Sequence, residues 1–513
     1  MPIRPLRALA IATLVTIAGV SLVLRDAPLA AQPAPVTPDP TRPNIVVILT
    51  DDQGYGDVSA YNPTGRIPTP HIDQLAREGL RFTDAHSGSS VCTPTRYGLL
   101  TGRYAWRTRL KKGVLWSNGD TLIEPGRPTL ASVLRGRGYH TAVVGKWHLG
   151  LHWTAKPGAQ VDRETTQGST DWIDYAGPVT GGPLAVGFHE FFGIPASLDM
   201  RDYVYVENER VVEPPTATLP GIAFGKPGFY RAGPAGPSFR IEQVLDTFTR
   251  RAVEVIERRS RTGEPFFLYL PLAAPHTPML PTGGFVGTTG LGPYGDFTVQ
   301  TDAAIGTVLQ ALQRTGVADR TLVVFASDNG PAPAGGIADL LALGHDATGG
   351  WRGAKHDIYE AGHRVPFVVR WPGVVAPGGV TSRTVVMTDV LRTIADAVQA
   401  PLPATAGEDS VSFLPLLRDA RFAGALHEAI VSHSADGVFA IRQGKWKLIL
   451  APGSGGASAP QPGSPEERGL PPVQLYDLDA DPKEQRNLQA QHPDVVQRLD
   501  ALLQQYQRDG KSR

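Results

Sequence analysis

The 513-residue chain is poor in cysteine, in net charge and in long apolar segments. A single cysteine, Cys92, excludes an intrachain disulfide, so the core has to supply the stability of the fold. The 49 basic and 49 acidic side chains cancel, which argues against a nucleic acid partner. Hydrophobic residues make up 41% of the chain, which is enough for a large core.

The longest apolar segment lies at the N-terminus. Two early arginines precede an apolar run at 8–24, and small residues follow it before a Pro/Thr-rich stretch. This layout predicts a secretory signal peptide over residues 1–31, cut near Ala30 or Ala31, and a tether over residues 32–42. An uncleaved membrane anchor is the alternative, because the run is slightly long for a signal. A lipoprotein anchor is excluded, because no cysteine follows the run directly. We therefore expect a bacterial protein that is periplasmic or secreted.

Apolar strands alternate with amphipathic helices through most of the chain. The strands are short, the kind that is buried on both faces of a sheet, and they lie at 44–50, 265–272 and 321–327. Helical patterns lie between them, at 69–79, 129–137 and 239–259. This alternation predicts an α/β fold for residues 43–420, with a large mixed, mainly parallel sheet sandwiched by helices.

Two other segments differ in texture. Residues 153–238 are rich in Gly, Pro and Thr, which predicts long loops that shape a substrate entrance. Near the C-terminus, short strands precede an amphipathic helix, and these elements lie at 429–434, 437–442, 445–450 and 493–506. They predict a smaller α+β domain, residues 421–513, built on a short antiparallel sheet.

Oxygen-bearing side chains follow two of the apolar strands. Asp51 and Asp52 come directly after the first strand, and Asp328 and Asn329 follow the third. Ligand sites in α/β sheets gather at the carboxyl ends of strands. One such pair alone fits an ordinary loop start, but two pairs at strand ends indicate a site. Three carboxylates and an amide oxygen suit Ca²⁺ or Mg²⁺ rather than zinc.

Cys92 lies at the predicted start of a helix, because Pro94 is favoured in a first helical turn. Free N–H groups at a helix N-terminus favour anions. Arg96 adds a cation whose forked donors suit a tetrahedral oxyanion. A lone cysteine is usually a small buried hydrophobe, but these neighbours predict a functional site around Cys92.

The same residues resemble a known family signature. The run from Ser90 to Gly102 is similar to the C-x-P-[ST]-R motif of the type I, formylglycine-dependent sulfatases, and the segment from Gly138 to His148 is similar to their second signature. The similarity extends from about residue 43 to about residue 488, and the chain is identified as an arylsulfatase-like member. The resemblance implies an alkaline-phosphatase-like sheet and hydrolysis of sulfate esters. It also implies that a separate formylglycine-generating enzyme oxidises Cys92 to formylglycine.

A metal site follows from the same resemblance. It implies one divalent cation, held by Asp51, Asp52, Asp328, Asn329 and the modified Cys92. The family points to Ca²⁺, whereas the donor types alone suit Mg²⁺ or Mn²⁺ equally.

The resemblance further assigns catalytic roles. It places Arg96, Lys146 and Lys355 against the sulfuryl oxygens. His276, together with Lys355, would protonate the leaving oxygen, and His148 would orient or deprotonate a hydroxyl of the hydrated aldehyde. One hydroxyl attacks sulfur to give a covalent sulfo-formylglycine intermediate, and the second then expels sulfate. The histidines without an equally clear match are expected to be structural: His86, His140, His345, His356 and His363.

Other functions use parts of the same pattern. A phosphonate monoester or phosphodiester hydrolase, with the same formylglycine and metal, is the alternative enzyme. A non-catalytic binding protein would need a lost ligand or nucleophile, and every expected position is occupied. The substrate stays open between an aryl sulfate, a sulfated carbohydrate and a steroid sulfate, because selectivity is expected in the loops at 153–238 and 281–300. A membrane contact is expected only through an uncleaved N-terminal segment.

Overall fold

The computed structural model describes residues 1–2, 42–163 and 169–513. Almost all of the predicted signal peptide and tether lies outside these ranges. Within them, no helix combines the length and the apolar character that crossing a membrane requires.

The α-helices are α1 (Pro70–Glu78), α2 (Cys92–Thr101), α3 (Leu130–Gly136), α4 (Val244–Ser260), α5 (Gly292–Arg314), α6 (Ile337–Ala342), α7 (Glu360–His363), α8 (Asp389–Ala397), α9 (Leu414–Arg418) and α10 (Pro493–Asp509). The strands are β1 (Asn44–Thr50), β2 (Leu80–Phe82), β3 (Ala85–His86), β4 (His140–Lys146), β5 (His152–Trp153), β6 (Val179–Thr180), β7 (Glu190–Ile194), β8 (Val206–Glu207), β9 (Arg210–Val211), β10 (Ala217–Leu219), β11 (Gly233–Ala235), β12 (Phe266–Pro271), β13 (Thr321–Ser327), β14 (Phe367–Arg370), β15 (Gly379–Thr381), β16 (Val385–Val386), β17 (Ile430–His433), β18 (Phe439–Gln443), β19 (Trp446–Ile449) and β20 (Gln474–Asp477).

A ten-stranded sheet forms the centre of the fold, in the order β15-β2-β14-β13-β1-β12-β4-β7-β8-β9. Its five central strands, from β13 to β7, run parallel, and Thr50 of β1 lies opposite Ser327 of β13. Antiparallel pairs lie toward both edges. The predicted large mixed, mainly parallel sheet is confirmed.

Helices cover both faces of this sheet because β1 is apolar on both. Ile45, Val47 and Leu49 pack in one cluster with side chains of α2, α3 and α8. Val46 and Ile48 pack in another, with side chains of α1, α4 and α5. Alternate residues of a strand point to opposite faces, so a wholly buried strand requires a layer of helices on each side.

A second, four-stranded antiparallel sheet lies near the C-terminus, in the order β17-β18-β19-β20. Helix α10 covers it, with Leu499 and Leu503 packed in one cluster with Val431 and Ile441. The predicted small antiparallel sheet is confirmed. The fourth strand, β20, was not predicted, because a long Gly/Ser/Pro-rich stretch separates it from β19.

Three expectations from the sequence were wrong. Residues 153–238 are not all loop, because β7 pairs in parallel with β4. Its Gly193 approaches the Gly145 carbonyl too closely for any side chain, and a glycine inside a strand weakens the strand pattern. Much of the expected loop at 281–300 belongs to α5, whose Gly306 is pressed against His71 of α1. Interior glycines lower helix propensity, and tertiary packing overrides it here. Helix α4 also begins later than expected, at Val244.

Candidate active site

Four neighbouring parallel strands, β13, β1, β12 and β4, end at the same edge of the central sheet. Asp328 and Asn329 follow β13, and Asp51 and Asp52 follow β1. His276 lies beyond the end of β12. Lys146 ends β4, and His148 lies just beyond it. The structure therefore brings all the predicted site residues of these strands to one place.

Cys92 is the first residue of α2, two residues earlier than the predicted helix start, and it faces this edge. Its Sγ lies 3.4 Å from Asp51 Oδ1 and 3.6 Å from Lys355 Nζ. Burial, with the nearby Asp328 carboxylate, raises the pKa of the Cys92 thiol well above its ordinary value. Cys92 is therefore a neutral thiol at neutral pH, whereas a cysteine nucleophile needs a thiolate.

Three buried carboxylates are paired with three cations. Arg96 Nη2 lies 2.7 Å from Asp328 Oδ2, and Arg96 Nη1 donates to the Lys146 carbonyl at 2.9 Å. Lys146 Nζ lies 2.5 Å from Asp51 Oδ2. Burial alone would raise the pKa of Asp51, but Lys146, His276 and Arg96 outweigh burial and hold that pKa well below its ordinary value.

Lys355 completes this set from a loop. Its Nζ lies 2.6 Å from Asp52 Oδ1. The neighbouring Asp357 accepts hydrogen bonds from Ser458, through the backbone N–H at 2.9 Å and the hydroxyl at 2.5 Å. The Ile358 N–H donates to the Ser454 carbonyl at 2.8 Å. A C-terminal segment therefore fixes the Lys355 loop. Nothing in the sequence indicated this contact, because 453–471 resembles a flexible linker.

His148 has a single free acceptor atom. Its Nε2 lies 2.8 Å from the Leu115 carbonyl, which assigns the ring proton to Nε2. Its Nδ1 is buried and has no hydrogen-bond partner among the residues that the structure describes. Burial and the charge of Lys146 lower the pKa of His148 well below its ordinary value, so the ring is neutral. His148 also has a left-handed backbone, with φ of 56°, a costly conformation typical of functional sites.

His276 also lies beside the carboxylates. Its Nε2 is 3.5 Å from Asp52 Oδ2, and its Nδ1 is 2.6 Å from the Thr277 carbonyl. Ser197 Oγ lies 3.3 Å from both His276 Nδ1 and Lys146 Nζ. Ser197 was missed from the sequence because it follows β7, the strand that the loop prediction overlooked.

The donor atoms fit a hard divalent cation. One ligand atom from each of four residues lies within 4.8 Å of the others: Asp51, Asp52, Cys92 and His276. Asp328 Oδ1 accepts the Asp52 N–H at 3.2 Å, and Asn329 Nδ2 donates to Asp52 Oδ1 at 2.7 Å. No described residue hydrogen-bonds to the buried Asn329 Oδ1, which leaves an oxygen donor for an ion. The predicted ligands are therefore gathered in one cluster, and His276 joins them.

Most of the histidines expected to be structural lie elsewhere. His140 Nε2 pairs with Glu190 at 2.8 Å, and His345 Nε2 pairs with Asp57 at 2.8 Å. His356 is different, because it follows Lys355 and lines the cavity over Cys92.

His86 and His363 belong to a buried charge network outside the lining of that cavity. Their Nδ1 atoms lie 3.0 Å apart, and Arg364 pairs with Glu360 at 2.8 Å. His86, Glu360 and His363 are close enough together to hold a metal. The Lys447 ammonium pairs with Glu360 at 3.0 Å and lies 3.2 Å from His363 Nε2, so these residues take part in an ion-pair network.

Comparisons with known proteins identify the family of the chain. The sulfatase family model matches residues 43–400. The chain is 36% identical to an N-acetylgalactosamine-6-O-sulfatase of Bacteroides thetaiotaomicron, over 90% of this chain and 93% of that protein. It is 34% identical to human arylsulfatase A, over 90% of this chain and 87% of that protein. A solved structure of a protein from glycosaminoglycan metabolism in Bacteroides thetaiotaomicron superposes with a TM-score of 0.78 at 33% identity, covering 91% of this chain and 99% of that chain. These matches favour sulfate esters over the phosphonate or phosphodiester alternative. The chain therefore belongs to the sulfatase family, as an arylsulfatase-like type I sulfatase that hydrolyses sulfate esters.

Proposed function

We propose that this sulfatase acts through a formylglycine at position 92, beside one divalent cation, on an aryl sulfate or a sulfated carbohydrate. The observation that carries the proposal is the position of Cys92. Its Sγ lies at the N-terminus of α2, between Asp51 Oδ1 and Lys355 Nζ, at the converging strand ends. A reacting group placed there meets carboxylates on one side and cations on the other.

The hydrated aldehyde would supply two hydroxyls on one carbon, one to attack sulfur and one to release sulfate. The cation, which we take to be Ca²⁺, would be held by Asp51, Asp52, Asp328, Asn329 and residue 92. It would polarise the sulfuryl group, and the oxygen-rich donor set supports this assignment. Conversion of Cys92 requires a formylglycine-generating enzyme in the same host.

The chain's own side chains have separable tasks. Lys146, Lys355 and Arg96 balance the negative charge of the sulfuryl oxygens, and their buried ion pairs hold them in place before substrate binds. His148 accepts a proton at Nδ1, since its Nε2–H is held by the Leu115 carbonyl. His276, whose Nε2 lies 3.5 Å from Asp52 Oδ2, would protonate the leaving oxygen together with Lys355.

The proposed location is the bacterial periplasm or the medium. The basic, apolar and small-residue order of residues 1–31 supports export by a signal peptide.

The test compares hydrolysis of matched 4-nitrophenyl sulfate and 4-nitrophenyl phosphate by protein made together with a formylglycine-generating enzyme. We expect sulfate hydrolysis that is lost in Cys92→Ala and that exceeds phosphate hydrolysis. Equal activity in Cys92→Ala, or faster phosphate hydrolysis, would contradict the proposal.

A further inference from the structure

A cavity of about 1020 Å³ opens over the catalytic cluster. Cys92, His276 and Lys355 lie in its lining, so it receives the part of the substrate that carries the sulfate. This volume is at the upper end of the range for small-molecule sites. The chemistry of its remaining walls therefore determines which alcohol the enzyme accepts.

These walls are largely apolar. They come from three segments of chain, at 113–116, 224–229 and 332–343, together with side chains of neighbouring elements. The large apolar side chains that face the cavity include Val114, Trp116, Phe229, Met279, Leu291 and Leu340. Of the lining residues that the structure describes, none is Asn, Gln or Glu outside the catalytic cluster. The described lining therefore offers no side-chain amide, which both donates and accepts hydrogen bonds, to a saccharide hydroxyl group.

The charges of the walls compensate one another. Arg231 is held by Asp199, with its Nη1 2.9 Å from Oδ2, and its guanidinium lies 4.8 Å from the Trp116 ring centroid. Within the described part of the lining, the other charged residues outside the catalytic cluster are Lys226 and Asp339, which are exposed and opposite in sign. A polyanionic saccharide would meet no net positive charge beyond the catalytic cations.

Apolar side chains also extend to solvent at the cavity. Phe224 is 86% exposed, and it packs edge-on against Phe229 with 5.2 Å between ring centroids. Leu343, in the wall segment 332–343, is 46% exposed. Large apolar groups left together in water mark a surface that an apolar ligand covers.

We infer that the sulfate ester carries an extended apolar ring system, rather than a charged saccharide, on its alcohol side. This inference rests on the proposed function, because it concerns the same site. The aromatic and aliphatic walls bury the rings, and Phe224 covers their outer end. The catalytic cluster selects the sulfate, and the walls select the alcohol.

The test uses phenyl sulfate and 2-naphthyl sulfate, whose leaving groups are similar in acidity, with the mature enzyme. The second ring adds apolar surface that an apolar wall can bury, which stabilises the bound ester. We therefore expect kcat/KM for 2-naphthyl sulfate to exceed that for phenyl sulfate by about tenfold. N-acetylgalactosamine 6-sulfate should compete with phenyl sulfate only weakly, with an inhibition constant above the Michaelis constant for the naphthyl ester.

A matched pair of variants locates the effect. Phe224→Ser should reduce the naphthyl-to-phenyl ratio toward one, and Phe224→Leu should restore part of it. Leu341→Ser, at a residue of α6 that is 58% exposed and outside the cavity lining, should leave the ratio unchanged.

A ratio near one in the wild type, or preferred hydrolysis of the saccharide sulfate, would overturn the inference and leave the proposed function standing. Failure to hydrolyse any of the three sulfates, by protein whose residue 92 is formylglycine, would overturn the proposed function and this inference with it.

Discussion

Replacement of Arg96 tests the charge balance at the centre of the site. Arg96 and Asp328 are both fully buried, and Arg96 reaches Asp328 through Nε at 3.1 Å and Nη2 at 2.7 Å. Arg96→Met leaves the Asp328 carboxylate without this partner, and breaking a buried ion pair from one side costs about 3–5 kcal/mol. The Lys146 carbonyl also loses its donor, which adds about 1 kcal/mol. Because a typical domain is stable by about 5–15 kcal/mol, this one change removes a large share of the margin.

Equilibrium unfolding in urea measures the loss. Arg96→Lys keeps the positive charge but not the several N–H donors of the guanidinium. We therefore expect it to lower the free energy of unfolding by about 2 kcal/mol, which is less than for Arg96→Met. The control is Arg250→Met, which breaks an exposed pair with Glu254 and should change the free energy of unfolding by less than about 0.5 kcal/mol. If the free energy of unfolding of Arg96→Met lies within about 1 kcal/mol of the wild-type value, the reasoning on buried charge pairing at this site is refuted.

Three further changes probe separate parts of the structure. Gly330→Ala places a Cβ 1.7 Å from the Ala361 carbonyl oxygen and should lower the free energy of unfolding by about 3 kcal/mol. Gly284→Ala, whose Cβ would meet no described atom within 4 Å, should leave it unchanged, and equal stabilities of the two variants would contradict the geometry. Burial lowers the pKa of His433 from 6.5 to about 4. As the pH falls from 6.5 to about 4, this histidine is protonated in the unfolded chain but not in the folded one, so the free energy of unfolding decreases over that pH range. Between pH 7 and pH 4, the free energy of unfolding measured in urea should fall by about 3 kcal/mol more in the wild type than in His433→Asn. Equal decreases in the two proteins would refute the lowered pKa of His433. Removal of divalent cations by a chelator should abolish sulfate hydrolysis. Ca²⁺ at a hundredfold excess over its Kd should raise the free energy of unfolding by about 3 kcal/mol. A chelated enzyme with full activity and an unfolding free energy that Ca²⁺ does not change would exclude the metal site.

The sequence predicts the centre of the fold better than its edges. Strands β1, β12 and β13 are wholly buried, so their apolar runs identify them without other information. Strand β7 and helix α5 were missed, because Gly193 and Gly306 interrupt their sequence patterns. These glycines allow close contacts with other elements. Such contacts involve residues distant in the chain, and local patterns do not contain them.

The site follows the same division. Asp51, Asp52, Asp328 and Asn329 could be found because each pair follows an apolar strand, and sheet geometry then brings the strand ends together. Ser197 could not, because its role depends on the position of β7. Asp357 and Ser458 could not either, because their hydrogen bond joins segments that are far apart in sequence. The apolar walls of the cavity likewise come from separate loops, so the sequence alone left the substrate open.

The state of residue 92 tests the account most directly. The measurement is the mass of the tryptic peptide that spans Cys92, taken from protein exported by its native host, together with hydrolysis of an aryl sulfate by the same sample. The account predicts that an aldehyde or its hydrate replaces the thiol, and that activity follows the converted fraction. A fully active enzyme with an unmodified Cys92 thiol would contradict it.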